Sequence, residues 1–557
     1  MKQINYRGWL PWLGLLCVLA AYVISVVRLH PTNFFGLTQD DTVYFSSAKA
    51  LADGQGYILP SVPGTPRATH YPVLYPWMLS WVWRFNPSFP DNVKDALGLT
   101  VAFGCAFLLA AFIFFRQLNA FSDLEVLFLT LFCGLQPIVR VYSANVLSDI
   151  PFAAFALGIL VLSNCALRRS PGTAFTGLCG ALAGLSMFIR VLGAPVAGGI
   201  LVAMLLRREW RKAAVFSMCV VPFFVALAWR ALFSAPRQAP VDVSSCSGAW
   251  QGTWLSYTSY VGFLKLVGSH HGIFWPILKQ NVLLLLLQPG IYFADPRFIR
   301  PSDMGAVFTC VLCAMVVAGV FRLARKTGWQ PVHFSLVLYL VPLLFWSYPI
   351  AGRCLIPFLP IFIAGLWFEL RLLARRIWES LNRYQPRTER CLAALLTAAL
   401  TAIVVGIGWA QAGNNRAISR ESEERGLLRA EKTEAYSWLR ANTPQGARVI
   451  AYEDVNLFLF SGRQGLRPVT FSPADLYEPF LLSRDISCLT VSARAVQAEY
   501  WLMSDDDFSM EWTDAISAGL AQEGQLKNAL PELFRSSSGR VRVYGLKAPS
   551  GAELLVR

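Results

Sequence analysis

Two adjacent carboxylates, Asp40 and Asp41, stand in LTQDDTVYFSSAKALADGQGY, a short way beyond the first long apolar segment. They precede an amphipathic helix that carries Tyr44, Ala48 and Leu51 on one face and ends at Gly54 and Gly56. Acids at a helix start favour its N-terminus electrostatically, but capping needs only one of them. A third acid, Asp149 in SANVLSDIPFAAF, precedes a proline suited to a first helical turn. Capping by Ser148 or Asp149 is the structural reading there; a shared reaction centre or cation site with Asp40 and Asp41 is the functional one. Arg190 in LAGLSMFIRVLGAPV and Arg353 in WSYPIAGRCLIPFLP are lone cations in otherwise apolar stretches. Such a guanidinium either snorkels, pairs with an acid, or forks its hydrogen bonds onto a phosphate. His70 in PRATHYPVLYPW and His270-His271 in GSHHGIFWP are weaker signals, because an interfacial histidine is usually only polar and adjacent side chains diverge.

The elements that must position these groups are membrane spans. Of 557 residues, 55% are hydrophobic and 15% charged, more apolar surface than a soluble core of this size would bury. Apolar stretches near the length of a span run from Trp9 to Val27, Ala96 to Phe115 and Leu124 to Val141. Others lie near 150–167, 212–233, 303–321, 331–347, 354–370 and 391–410, and Thr173 to Leu206 has room for two short helices broken around Arg190 and Pro195. The expected total is about eleven crossings. Val282 to Phe293 is too short for a span and reads as a re-entrant or interfacial helix. The first segment lacks a small-residue cleavage site and reads as a retained anchor.

The net charge of +15 follows topology rather than nucleic acid. Basic residues recur after alternate spans: Lys2 and Arg7, Arg116, Arg168 and Arg169, RREWRK from Arg207, then Arg322, Arg325 and Lys326, and the cluster from Arg371 to Arg390. The positive-inside rule puts these and the N-terminus in the cytoplasm, and residues 29–95, 234–300 and the C-terminal region on the outer face. Tracts rich in Arg and Trp but poor in Lys suggest a bacterial inner (plasma) membrane. Most of the 12 cysteines lie in apolar segments without accompanying histidines, which argues against structural zinc; only Cys246 and Cys488 fall clearly on the outer face.

Beyond Asn414 the composition turns charged, then β-branched. The expected division is a transmembrane domain over 1–411 and an outer-face α/β domain over 412–557. In the latter, a helix from Leu427 to Asn442 stops at Thr443-Pro444. Strands are expected at Arg448 to Tyr452, Val469 to Phe471, Glu499 to Met503 and Arg540 to Leu546, with helices near 513–523 and 526–534. The acidic run SDDDF from Ser504 reads as a solvated turn.

In this order the features resemble the type C (GT-C) membrane glycosyltransferase superfamily, particularly the bacterial branch of protein O-mannosyltransferases and lipid A aminoarabinose transferases. The likeness covers about residues 8–365 and more weakly AYSWLRANTPQGARVIAYED and SGRQGLRP. It rests on the loop acids, the helix ending in ADGQGY, HYPVLYPW, and GRCLIPFLP, which looks like the family's R-Y-L-L-P-x-x-P element with Cys354 where an aromatic residue is common. GLSMFIRVLGAPV likewise looks like the family's short helical hairpin. The resemblance implies a polytopic all-α membrane fold with a small C-terminal α/β domain, and a polyprenyl-phosphate sugar donor entering from the outer leaflet. It further implies an acceptor hydroxyl on a lipid, glycan or protein, and inversion with Asp40 as general base. Asp41 and Asp149 would orient the acceptor or hold a divalent cation, with cation dependence left open; Arg190 and Arg353 would bind the donor phosphate, and His70, Tyr71 and Tyr44 would contact substrate. A secondary transporter or lipid flippase, or a membrane-anchored cell-envelope assembly protein, are the competing classes. A transporter would place its charges near mid-membrane, whereas these gather at one face.

Overall fold

The computed structural model describes residues 9–36, 38–169, 172–233, 271–294, 304–346, 352–382, 387–467, 493, 496–504 and 530–546. The chain opens with an apolar helix α1 (Leu10–Val27), followed by two helices of the first long loop, α2 (Gln39–Ala52) and α3 (Leu74–Phe85). The bundle continues with α4 (Val93–Gln117), α5 (Asp123–Gly134), α6 (Pro137–Ser143), α7 (Asp149–Arg169), α8 (Thr173–Ser186), α9 (Gly193–Leu206) and α10 (Trp210–Phe233). Then come α11 (His271–Ile291), α12 (Met304–Thr327), α13 (Pro331–Leu344), a 3₁₀ turn (Gly352–Phe358), α14 (Leu359–Asn382) and α15 (Arg387–Asn442).

Among the described residues, seven helices are long and apolar enough to cross a membrane, or eight if the bent pair α5 and α6 is one span. The protein is a multi-pass membrane protein on this count and on its fold. The expected total of about eleven is not confirmed by helix length among the described residues. Helices α8, α9 and α13 have 14 residues each, and so rise only about 21 Å against a hydrocarbon thickness of about 30 Å. The segment expected from Leu124 to Val141 is broken by 57° where Pro137 starts a new helix, because proline removes a helical donor. The short helix expected at Val282 to Phe293 instead starts at His271. Lys279, Gln280 and Asn281 dilute the apolar run there, yet Asn281 is buried and its side-chain amide donates to the carbonyls of Leu344 and Trp346, at 3.1 and 2.8 Å.

The two ends of the bundle differ in chemistry. At one end Arg168 donates to the Gln117 carbonyl, Arg207 to that of Trp329, and Arg371 to that of Ala120 and to Glu125. The Gln117 carbonyl ends α4, where the macrodipole favours a cation, and those of Trp329 and Ala120 lie in the connecting loops. The opposite end carries α2, α3 and the sheet domain. Helix α3 packs on α2, and Trp83 donates its indole N–H to the Phe45 carbonyl at 2.9 Å. The Leu74 amide ties α3 to the turn between α8 and α9 through the Phe188 carbonyl, 2.9 Å away.

Helix α15 runs without a break for 56 residues across the composition change near Asn414. Its last turns lie against a five-stranded sheet of β1 (Arg448–Ile450), β2 (Gln464–Leu466), β3 (Tyr500–Ser504), β4 (Glu532–Arg535) and β5 (Val541–Gly545), in the order β2-β1-β3-β5-β4. Between β1 and β2 lies α16 (Asp454–Ser461). Strand β1 is parallel to β2 and β3, while β5 is antiparallel to β3 and β4. Strand alternation sorts the two faces. Val449, Leu502, Val541 and Val543 join Tyr436 and Leu439 of α15, whereas Ile450, Trp501, Met503 and Tyr544 join Val43, Leu59, Val62 and Ala68 of the first long loop. The helix expected near 526–534 is contradicted at its end, where Glu532–Arg535 is an edge strand: pairing with β5 overrides the local helical spacing. Val469 to Phe471, the helix near 513–523, Cys246, Cys488 and His270 fall outside the described residues.

Helices α12 and α14 meet backbone to backbone at Gly319, where a Cβ would lie 1.9 Å from the Gly365 carbonyl oxygen. Gly319→Val should therefore drive the two helices apart and lower the melting temperature in detergent, whereas Gly158→Ala, at a position where an added Cβ meets nothing, should leave it unchanged.

Candidate active site

The first turn of α2 presents Asp40 and Asp41 in opposite ways, because successive helical residues diverge by about 100°. Asp40 faces a partly open site. Its Oδ1 accepts from the Tyr71 hydroxyl at 2.7 Å, and its Oδ2 lies 3.0 Å from Nη1 of Arg353. The pair remains 24% and 26% exposed, so a ligand can reach it. Burial works to raise the Asp40 carboxyl, but Arg353, the Tyr71 hydroxyl, His70 and Arg190 together outweigh it and hold the group below its ordinary value.

Asp41 is fully buried, its Oδ2 accepting from the Gly36 amide and its Oδ1 from its neighbour Thr42, both at 2.7 Å. Burial, aided by Asp40 and Glu453, pushes its carboxyl well above the ordinary value despite those two amides. Its geometry is that of a brace for the entering loop.

Asp149, the first residue of α7, is buried. Its Oδ1 accepts from Nη1 of Arg190 at 2.7 Å, and its Oδ2 is buried without a hydrogen-bond partner among the described residues. Arg190 stands in the turn between α8 and α9 and also reaches the Ser148 hydroxyl at 3.4 Å, which lies 3.0 Å from the Tyr44 hydroxyl. Arg353 is carried by the 3₁₀ turn before α14, which is fixed by the Tyr292 hydroxyl on the Gly352 carbonyl and the Tyr339 hydroxyl on that of Cys354, at 2.5 and 2.8 Å. Cys354 is thus buried behind the arginine, in the place where the family pattern has an aromatic residue.

Aromatic rings join the two ion pairs. Tyr44 packs on Tyr71 and Tyr75, with centroids 4.8 and 5.3 Å apart, and His70 stands edge-on to Tyr71 at 4.3 Å. Burial lowers His70 to about 4, partly opposed by Asp40, so its imidazole is neutral near pH 7. Asp40, Asp149, Arg190, Arg353, Tyr44, Tyr71 and His70 therefore gather at one end of the bundle, and Asp41 turns its carboxylate away. Sequence reasoning missed Arg230, which donates to the carbonyls of Ala68 and Tyr71 at 2.6 and 3.0 Å and lies over the Tyr57 ring. The signal was available: like Arg190 and Arg353, it is an arginine at the end of an apolar segment.

The donor set does not fit a cation held by Asp41 and Asp149. Both Asp41 oxygens are engaged by amides, one Asp149 oxygen is engaged by Arg190, and no group of three His, Cys, Asp or Glu side chains forms a metal site among the described residues.

The fold is that of the type C membrane glycosyltransferases. The Archaeoglobus fulgidus oligosaccharyltransferase, tethered with an acceptor peptide containing the NVT sequon, matches at a TM-score of 0.55 and 13% identity over 96% of this chain and 74% of that one. ArnT from Cupriavidus metallidurans, bound to undecaprenyl phosphate, matches at 0.50 and 14% over 98% of this chain and 99% of that one. AglB from Archaeoglobus fulgidus, with an inhibitory peptide and a dolichol-phosphate, matches at 0.53 and 12% over 98% and 75%. The archaeal enzyme is also known in complex with Zn and sulfate, matching at 0.52 and 13% over 94% and 72%. No family model and no curated protein matches the sequence.

The two ion pairs differ in burial, which predicts a difference in stability. Removing one partner of a buried pair strands the other charge, at a cost of about 3–5 kcal/mol, whereas a part-exposed pair is screened by water. With side-chain exposures of 14% and 1% for Arg190 and Asp149, Arg190→Met should lower the thermal midpoint clearly more than Arg353→Met, in the same detergent.

Proposed function

We propose that this protein transfers a sugar from a polyprenyl-phosphate donor to an acceptor hydroxyl, with inversion, at the bundle end that carries Asp40. One observation carries the reading: Asp40 is held as a carboxylate by Arg353 and Tyr71 in a part-open site that also contains Arg190. It is supported by a fold shared with transferases whose structures hold undecaprenyl phosphate or dolichol-phosphate.

In this reading Arg353 exchanges partners. The donor phosphodiester brings a negative charge, and the guanidinium leaves Asp40 to fork onto it. Asp40 then loses its strongest neutralising neighbour and gains basicity where the acceptor hydroxyl arrives. The acceptor oxygen forms its bond to the anomeric carbon on the face opposite the departing phosphate. As the glycosidic C–O bond to phosphate breaks, polyprenyl phosphate leaves with the bonding electrons and Asp40 takes the acceptor's proton. Arg353 and Arg190 stabilise the developing phosphate charge. Asp149 holds Arg190 and keeps a free oxygen for a hydroxyl, while Tyr44, Tyr71 and neutral His70 line the substrate.

The reading puts the protein in a bacterial inner membrane with this end on the outer face. The site's charges gather at one end of the bundle rather than along a path through it, which favours transfer over transport.

The test is transfer of labelled sugar from a panel of short-chain polyprenyl-phosphate donors by the purified protein. Asp40→Asn should lose about a hundredfold or more in kcat, and Arg353→Ala should raise the donor KM. No transfer or donor hydrolysis by wild type, with lipid moved across reconstituted vesicles instead, would establish transport.

The pH profile provides a second check. A carboxyl held below its ordinary value stays ionised until the pH falls through that lowered value, so the acid limb of kcat/KM should lie below the ordinary carboxylate range. Tyr71→Phe deletes one of the groups that hold it down and should move that limb to higher pH.

A further inference from the structure

We propose that the C-terminal sheet domain is a positioning element of the transfer site, and that Asp454 is the positioning residue through which it holds the helix bearing Asp40. The inference rests on the transferase reading of Asp40. It concerns a domain to which that reading assigns no part.

Helix α2 has 14 residues, and its N-cap residue Thr38 makes no side-chain capping bond to it. A helix so short is marginal alone, so the aim of Asp40 depends on what grips the first turn. The residue beside it, Gln39, donates its side-chain amide to Oδ1 of Asp454 at 3.1 Å. Asp454 is fully buried at the start of α16, inside the sheet domain. Because neighbouring helical residues point apart, one first turn can be held by the sheet domain at Gln39 while Asp40 faces Arg353.

The same seam continues on both sides of Gln39. The chain entering α2 turns at Gly36, with φ of +91°, so close to α16 that a Cβ would lie 2.8 Å from Nδ2 of Asn456. Asn456 in turn donates to Glu453 at 3.0 Å, and Glu453 is also held by Lys432 and the Tyr436 hydroxyl of α15, at 2.5 and 3.3 Å. Arg429 of α15 lies between Phe35 of the outer loop and Phe460 of α16, 5.9 and 6.0 Å from the ring centres. Beyond α2, strand β2 grips the loop again: the Gly465 amide donates to the Ser61 carbonyl and the Gln464 side chain to that of Pro60, both at 3.0 Å. Val43 of α2 packs with Ile450, Val455 and Leu466. Polar bonds give this contact a direction that apolar burial alone would not.

The experiment uses the full-length protein in nanodiscs with Asp454→Leu, Gln39→Leu, the double variant and Asp454→Asn, which keeps an accepting oxygen. Each leucine variant should lower kcat about tenfold with donor KM within about twofold, the double should be no worse than the poorer single, and Asp454→Asn should retain most activity. Amide exchange over residues 39–52 should quicken in both leucine variants while that of β3 and β5 stays unchanged. Additive losses, a raised KM, or unchanged exchange in α2 would overturn the proposal. If wild type transfers no sugar, the transferase reading fails, and the exchange measurement still decides whether Asp454 holds α2.

Discussion

The arrangement of this membrane end depends on the attraction between Arg353 and Asp40, two charges brought from opposite parts of the chain. Neither element would hold its charge there alone. The guanidinium rides on a 3₁₀ turn pinned by Tyr292 and Tyr339, and the carboxylate on a short helix that does not cross the membrane. Leaving the pair about a quarter exposed limits its contribution to stability, and that is consistent with a bond made to be exchanged. The neighbouring Arg190 and Asp149 are sealed far more tightly, so in the proposed reading one pair serves as framework and the other as the reactive contact.

Much of this site was legible because charge is conspicuous in an apolar chain. Arg190 and Arg353 stood out against the positive-inside pattern, and Asp40 and Asp149 against their surroundings. Without the family resemblance the residues alone could not separate Asp40 from Asp41, since the difference lies in two backbone amides, from Gly36 and Thr42, that occupy one carboxylate while the other faces Tyr71 and Arg353. Arg230, at the end of an apolar segment like Arg190 and Arg353, carried the same signal and was passed over; its partners, the carbonyls of Ala68 and Tyr71, add no side-chain signature.

The fold was legible to the same degree and for related reasons. Hydrophobic length located most helices, including the short pair around Arg190. It failed where tertiary contacts decide: Asn281 sits buried in α11 because two carbonyls of a distant segment receive it, and Glu532–Arg535 extends because β5 offers an edge. The change in composition near Asn414 marked a shift from lipid to water along one helix rather than a break in the backbone.

That unbroken helix has a mechanical meaning. At 1.5 Å per residue its 56 residues form a shaft about 84 Å long, rooted among apolar neighbours and ending under the sheet. A linker would let the sheet domain swivel; a continuous helix curves only gently, and a sharp kink in it would cost backbone hydrogen bonds. In the proposed reading the height of the sheet above the bilayer is thus set by the chain's own pitch, like a rule standing on the membrane surface, and whatever approaches Asp40 must fit the clearance this rule allows.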